Sequence, residues 1–246
     1  MPKKAASKPI PPPENGKSVL PDRRQIPTPV FRRLRVFAVD PGLTAQFSTA
    51  VMNEMTLSIH WEPLKPGPVG EYLEVVDRDE RDKLLNAPVD LDDAALLGMD
   101  GHAPSDGNAQ FRHQMVYAVA MRTIRNFERA LGRPAQWPPR KGASGKPVYT
   151  RRLEIRPHFY NVPNAYYDHD RGLFCFGYGF SANNSPNPGT TVFTCLSQDV
   201  IAHELSHALL MGMNLERYYS GRADAGALHE AFADIIALFQ HFWISD

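Results

Sequence analysis

The sequence predicts an α+β fold, in which a mixed or antiparallel sheet with a long helix packed on it is followed by two further helices. Three features of the 246 residues support this fold class. Short alternating or aromatic-rich segments fill much of the first two thirds, one long amphipathic segment lies among them, and the last fifth reads as two apolar helices. No internal repeat is visible, and a hydrophobic content of 43% is enough to bury a sizeable core.

Strands are predicted where apolar residues alternate, or where aromatic residues cluster, between turn-forming residues. In chain order these segments are 34–39, 55–61, 72–76, 153–155, 173–178 and 191–194. Residues 77–107 are rich in Asp and Gly and are expected to be irregular or partly helical. Residues 181–189 have turn chemistry, so 191–194 is predicted to return alongside 173–178 as a hairpin.

Helices are predicted from apolar spacing of three and four residues together with capping residues. The longest should run from Gln110 to Leu131 and end at Gly132. Two helices should close the chain, at about 198–211 with Ser197 as N-cap and at about 225–242.

The first 32 residues are predicted to form a disordered, basic, proline-rich arm, and residues 33–246 to form the globular part. Lys+Arg and Asp+Glu number 27 each, but nine of the basic residues fall within the first 35 residues, against two acids. Such an arm is either a docking tail or a solvated leader, and we favour the leader.

The composition also excludes some function classes. A formal charge of zero argues against a dedicated nucleic-acid binder. No apolar run is long enough to span a bilayer or to act as a signal core, so we expect no membrane association and a cytoplasmic location, with secretion by another route left open.

Cys175 and Cys195 are expected to be buried thiols, with a single bridge as the alternative. Nothing in the sequence specifies an oligomeric state.

The motif that carries chemistry is His203-Glu204-Leu205-Ser206-His207. On a helix, His203 and His207 lie one turn apart on the same face, so both imidazoles can reach one ion. Glu204 lies one position round the helix, where it can act on a water bound to that ion. The alternative is a pair of hydrogen-bonded core histidines.

A catalytic zinc site usually needs a third protein ligand. The metzincin pattern would require Gly at position 210 and His at position 213, but these positions hold Leu210 and Met213. The ligand is therefore expected further along the chain.

The closing helix holds two acids, Glu230 and Asp234, four residues apart on one otherwise apolar helix. Burying both without a cation would be costly. The simplest resolution makes Glu230 the third ligand and Asp234 an acceptor for the outer ring nitrogen of one ligating histidine. His229 is a weaker candidate ligand, because it points about 100° away from Glu230 on the helix.

Residues 199–208 and 225–234 together resemble the active-site helices of thermolysin-like zinc metallopeptidases, the gluzincins, whose fold is zincin-like. The resemblance is specific over about residues 160–240. It implies that zinc is the cofactor and assigns roles to five residues: His203, His207 and Glu230 as ligands, Glu204 as general base and Asp234 as the partner of His203.

The same resemblance extends to substrate and accessory residues. Asn164 and Ala165 would hold the substrate backbone, beside an edge strand formed by residues 172–179. The family's catalytic tyrosine would fall at Tyr218 or Tyr219. A calcium ion is a weaker expectation, suggested by Asp199, Asp168 and Asp170. By the same resemblance Asp199 matches a calcium ligand, but we favour it as an acid in the first helical turn.

This chain also departs from the family pattern. His229 stands where an Asn is usual, and the spacing from His207 to Glu230 is a few residues longer. A helical C-terminal lobe would follow these helices in the family, whereas this sequence stops at Asp246. Residues 33–246 are thus expected to be the N-terminal lobe and active-site helices, as a fragment or a reduced relative.

The expected function is a zinc-dependent metalloendopeptidase that acts on a peptide or protein substrate. The alternative is a catalytically inactive zinc-binding or peptide-binding module, because the second wall of the cleft is missing from the sequence.

Overall fold

The computed structural model describes residues 28–39, 41, 53–181, 188–213 and 223–243, and within them the predicted α+β fold is confirmed. The strands are β1 (Phe31–Phe37), β2 (Glu54–His60), β3 (Leu73–Val75), β4 (Arg140–Lys141), β5 (Pro147–Val148), β6 (Leu153–Tyr160), β7 (Ala165–Asp168), β8 (Leu173–Phe180) and β9 (Thr191–Phe193). The α-helices are α1 (Ala94–Gly98), α2 (Ala109–Leu131), α3 (Gln198–Gly212) and α4 (Ala223–Gln240). Short 3-10 turns follow β9 at Thr194–Leu196 and α4 at His241–Trp243.

The main sheet is mixed and has the strand order β3-β6-β8-β7, with β9 also paired to β8. β3, β6 and β8 run parallel, whereas β7 and β9 are antiparallel to β8. The pairing of β8 with β9 confirms the predicted hairpin, although most of its turn lies outside the described residues. β1 and β2 form a separate antiparallel pair, as do β4 and β5.

The long helix α2 begins and ends at residues that satisfy its terminal backbone groups. The side chain of Asn108 accepts hydrogen bonds from the first turn, and Gly132 ends the helix with a φ of 66°, a left-handed conformation that glycine adopts without steric cost. The helix is buried along Phe111 to Ala120 and packs between the β1–β2 pair, the main sheet and α3. It is therefore the central element of the core.

Helix α3 is fixed to the core at its N-terminus. Ser197 caps it, as predicted, by accepting a hydrogen bond from the backbone of Val200. The buried side chain of Gln198 donates to the carbonyl of Phe37 at 2.6 Å. Leu205 and Leu209 belong to the main hydrophobic core. One face of α3 is thus set against the sheet layer, which leaves the opposite face for the histidines.

Helix α4 packs on α3 through one face. Ala233 and Ala237 are buried, but Leu228, Ile235 and Leu238 are about half exposed. The expectation that the two acids of this helix are buried is wrong: the side chains of Glu230 and Asp234 are 64% and 75% exposed. The physical reason is that the described residues cover one side of α4.

The boundary of the basic arm lies earlier than predicted. Strand β1 begins at Phe31, and Arg32 is 1% exposed. The Arg32 guanidinium pairs with Asp92 and lies 4.3 Å from the centre of the Trp61 ring. A basic residue that looked like part of the arm is therefore a core residue with an acidic partner 60 positions away. The rest of the predicted arm, residues 1–27, lies outside the described residues.

A buried polar network joins α2 to the sheet. The carboxylate of Asp77 accepts hydrogen bonds from His158 at 2.7 Å, from His113 at 2.9 Å and from Asn86 at 2.7 Å. The guanidinium of Arg112 donates to Nε2 of His158 at 2.6 Å. Because Arg only donates, Nε2 of His158 is the acceptor and its proton lies on Nδ1, facing Asp77. The charges of Asp77 and Arg112 therefore balance within the core.

The cysteines meet one further expectation. Cys175 and Cys195 are both free and buried. Burial raises the pKa of Cys175 to about 11, so its thiol stays protonated at neutral pH. The helices in the described part of the chain lack the combination of length and apolar character that crossing a bilayer requires.

The Asp77 network predicts a pH-dependent stability. Burial lowers the pKa of His158, so the folded protein takes up this proton at lower pH than the unfolded chain does. The free energy of unfolding should therefore fall as the pH drops below about 6.5, by up to about 1.4 kcal/mol per pH unit from this group. Urea unfolding of the parent and of His158→Asn, at several pH values, measures the difference in slope. His169→Asn, at an exposed position, should keep the parental slope, and equal slopes in all three proteins would contradict the prediction.

Candidate metal centre

Two histidines of α3 point toward one another on the outer face of that helix. The spacing of four residues places His203 one turn before His207, and their Nε2 atoms are 3.1 Å apart. Their side chains are 23% and 12% exposed. Both rings therefore lie at the surface of the core, where an ion could reach them.

The third atom of the cluster comes from α4. Oε2 of Glu230 lies 3.3 Å from Nε2 of His203 and 3.5 Å from Nε2 of His207. Four ligands placed tetrahedrally at about 2.0–2.1 Å from an ion are separated by about 3.3 Å. Nε2 of His203, Nε2 of His207 and Oε2 of Glu230 therefore form a triangle whose sides match the separations of three ligands in a tetrahedral site.

The contact at Nδ1 of His203, its outer ring nitrogen, determines which ring nitrogen carries the proton and which carries the lone pair. Nδ1 of His203 lies 2.9 Å from Oδ1 of Asp234. An ionised carboxylate only accepts hydrogen bonds, so Nδ1 carries the proton. In the neutral ring, Nε2 then presents its lone pair toward Glu230. A single proton could bridge one edge of the triangle, whereas a cation satisfies all three atoms at once.

The outer nitrogen of His207 has a different partner. Its Nδ1 lies 2.9 Å from Nδ1 of His229, and the two rings are nearly parallel, at 12°, with centres 4.6 Å apart. Burial lowers the pKa of His207, which keeps its imidazole neutral, the form that binds a metal. His229 itself is not one of the three atoms that converge.

Glu204 lies next to the triangle without joining it. Burial raises the pKa of its carboxyl group, and the charge of Glu230 raises it further, while His203 and a backbone hydrogen bond from Tyr167 oppose the shift. A carboxyl group held in this way keeps its proton to a higher pH than an exposed one does.

An open pocket of about 310 Å³ runs beside these residues. Its lining includes Asn164, Ala165, Thr194, His203 and Glu204, so the predicted substrate-binding pair lines the same pocket as the predicted general base and one predicted ligand. The sequence does not indicate Thr194 as a pocket residue, since it belongs to no motif and follows a short strand.

A close backbone approach sets the position of Asn164. Its carbonyl oxygen accepts hydrogen bonds from the backbone of Gly177 at 2.8 Å and from the hydroxyl of Thr194 at 3.1 Å. A Cβ at position 177 would lie 1.9 Å from the carbonyl oxygen of Val162, so the strand can approach this loop only with glycine there. The Thr194 hydroxyl has a single proton, which it shares with the carbonyl of Gly177 at 2.9 Å, so the backbone N–H of Gly177 is the one full donor to the Asn164 carbonyl.

The remaining predicted site residues lie elsewhere or outside the described chain. Asp199 is in the first turn of α3, and its carboxylate lies 2.6 Å from Nε2 of His241. Asp170 pairs with Lys141 at 3.0 Å, and Asp168 accepts from the backbone of Arg171. Neither acid joins Asp199 in a group of potential ligands among the described residues. Tyr218 and Tyr219 lie outside the described residues.

The buried Asp77 network is the second place where three potential ligand atoms meet in the described chain. There, however, each Asp77 oxygen already accepts a proton from a histidine, and Arg112 adds a fixed positive charge at hydrogen-bond distance from His158. A cation would have to displace those protons next to the guanidinium. Among the described residues, the cluster of His203, His207 and Glu230 has no such competing positive charge in contact with it, and the geometry favours it as the metal site.

No protein-family model matches this chain, and no curated protein matches it. The chemistry of the cluster and the pocket beside it therefore provide the grounds for a functional assignment.

The geometry predicts one ion per chain, bound through the triangle. The protein, loaded with zinc and desalted, should retain about one equivalent by elemental analysis, and His203→Ala should lose it because two ligands bind far more weakly than three. His169→Ala removes an exposed histidine and should keep the ion. Equal metal content in the two variants would contradict the assignment.

Proposed function

We propose that this protein is a zinc-dependent metalloendopeptidase that hydrolyses peptide bonds in a peptide or protein substrate. The observation that carries the proposal is the triangle of His203, His207 and Glu230, whose sides of 3.1, 3.3 and 3.5 Å fit a tetrahedral ion beside a pocket that also contains Glu204. The resemblance of α3 and α4 to the gluzincin active-site helices agrees with this ligand set and suggests a zincin-like arrangement.

The donor set favours zinc over other common ions. Two imidazoles and one carboxylate form the set, and three protein ligands with an open fourth position are typical of catalytic zinc sites. Calcium and magnesium prefer six or more oxygen ligands. When bound, zinc would lower the pKa of a coordinated water and polarise the substrate carbonyl.

Glu204 is the proposed general base and acid. It would take a proton from the attacking water and later pass that proton to the leaving amine. Its raised pKa suits both steps, because the carboxylate holds the transferred proton better than an exposed acid would. A half-buried carboxyl group next to Glu230 is otherwise unfavourable, and the proton-transfer role gives a reason for it.

The substrate would lie along β7. The expectation that residues 172–179 form the edge strand is wrong, because they form β8, which pairs with β6, β7 and β9. It is β7 that ends the order of the main sheet, and Ala165 lines the pocket next to Glu204. Because the Asn164 carbonyl is already bonded within the protein, a contact from this residue to substrate would fall to its exposed side-chain amide. An extended peptide added to a sheet edge gains main-chain hydrogen bonds, which is a common mode of peptide binding.

The competing proposal is a zinc-binding or peptide-binding module without activity. The observation that favours it is the exposure of the site on the α4 side, where Glu230 and Asp234 are 64% and 75% exposed. Catalysis benefits from exclusion of water, and the described residues cover the site from one side. The two proposals differ over Glu204, which has a task in the peptidase alone.

Substitution of Glu204 separates the two proposals. Glu204→Gln should keep zinc but lower kcat/KM for an unstructured protein substrate such as casein by at least about 100-fold, because general acid–base catalysis contributes factors of that size. Glu80→Gln, the same change at an exposed position, should keep the parental rate.

The outcomes of this experiment are distinct. Loss of cleavage in Glu204→Gln with zinc retained supports the peptidase. A zinc-loaded parent whose cleavage rate equals that of Glu204→Gln contradicts the peptidase and favours the non-catalytic module.

A further inference from the structure

The two histidines of the candidate metal centre are supported in different ways at their outer nitrogens. His203 faces the carboxylate of Asp234, at 2.9 Å. His207 faces the imidazole of His229, also at 2.9 Å. One support is therefore anionic, whereas the other is a ring that can be an acceptor only through a single nitrogen lone pair.

Consecutive residues of α4 contact opposite edges of the His207 ring. Glu230 lies 3.5 Å from Nε2, on the side where the three ligand atoms converge. His229 contacts Nδ1, on the other side, and is not among the converging atoms. The sequence left His229 open as a weaker ligand candidate, but this geometry places it behind a ligand.

The position of the ring proton determines which of the two Nδ1 atoms, that of His207 or that of His229, is the donor. A neutral histidine that binds an ion through Nε2 carries its proton on Nδ1, so His207 must donate to His229. His229 then accepts through Nδ1 and carries its own proton on Nε2. The nearly parallel rings, 4.6 Å apart, further limit rotation of His207.

We propose that His229 is a positioning residue, which holds His207 in the tautomer and orientation that bind zinc and so sets how tightly the ion is retained. This inference rests on the proposed zinc site. His229 touches neither the reacting atoms nor the pocket lining, so its effect should fall on zinc affinity, with little effect on turnover once zinc is saturating.

Two substitutions separate the hydrogen bond from the packing of the ring. His229→Phe keeps an aromatic ring against His207 but removes the acceptor. His229→Asn loses the ring but supplies a side-chain oxygen that can accept the same proton. If the hydrogen bond is what matters, Asn should rescue what Phe loses.

A matched control lies on the 3-10 turn that follows α4. Nε2 of His241 lies 2.6 Å from Oδ1 of Asp199, so this imidazole also links the segment that follows α4 to helix α3. His241→Phe removes that contact without touching a proposed ligand. It reports any loss of zinc that follows from loosening the two helices alone.

The test is competition for zinc between the 246-residue chain and a fluorescent chelator of known affinity. Loss of a hydrogen-bond partner behind a metal ligand typically weakens metal binding by about 10–100-fold, and we expect this loss in His229→Phe. His229→Asn and His241→Phe should stay within about threefold of the parent. At saturating zinc, kcat of His229→Phe should stay within about threefold of the parental value.

Parental zinc affinity in His229→Phe would overturn the inference, as would an equal loss in His241→Phe. Loss of all zinc binding in both His229 variants would instead identify His229 as a ligand and would also overturn it. Failure of the zinc site itself is recognised separately, since His203→Ala would then bind zinc as tightly as the parent does.

Discussion

Three atoms with lone pairs, carried by helices α3 and α4, converge on one point. The candidate site depends on this constraint. Nε2 of His203, Nε2 of His207 and Oε2 of Glu230 lie within 3.5 Å of one another. Electron-rich atoms at this separation repel unless a proton or a cation lies between them. The spacing holds only if α3 and α4 keep their relative rotation and height, so the packing of these helices determines whether the site exists.

The remainder of the fold fixes α3, and through it the site. Gln198 hydrogen-bonds the start of α3 to the end of β1. Leu205 and Leu209 place the inner face of α3 in the core, where α2 packs against this helix. Polar contacts then hold the outer nitrogens of the two histidine rings, since Asp234 lies behind His203 and His229 lies behind His207. Buried contacts therefore fix the inner side of α3, whereas Glu230 projects from a helix whose outer face is exposed.

Sequence reasoning identifies the three residues of the cluster because helical spacing is local, but it cannot identify contacts that depend on the tertiary fold. The i, i+4 histidines and the acids of α4 were identified from periodicity, although the argument that both acids are buried was wrong, since one face of α4 is open. Strand β7 was missed because its four residues are all at least partly exposed and do not alternate. The pairing of Arg32 with Asp92 joins residues 60 positions apart, which composition cannot reveal.

The central claim is that an ion binds at the triangle on α3 and α4. The most direct measurement is a crystal structure of the zinc-loaded protein with anomalous diffraction recorded on both sides of the zinc absorption edge. The account predicts one anomalous peak at about 2.0–2.2 Å from Nε2 of His203, Nε2 of His207 and a carboxylate oxygen of Glu230. A zinc peak at the Asp77 network, or density for the three side chains turned apart with zinc bound elsewhere, would contradict it.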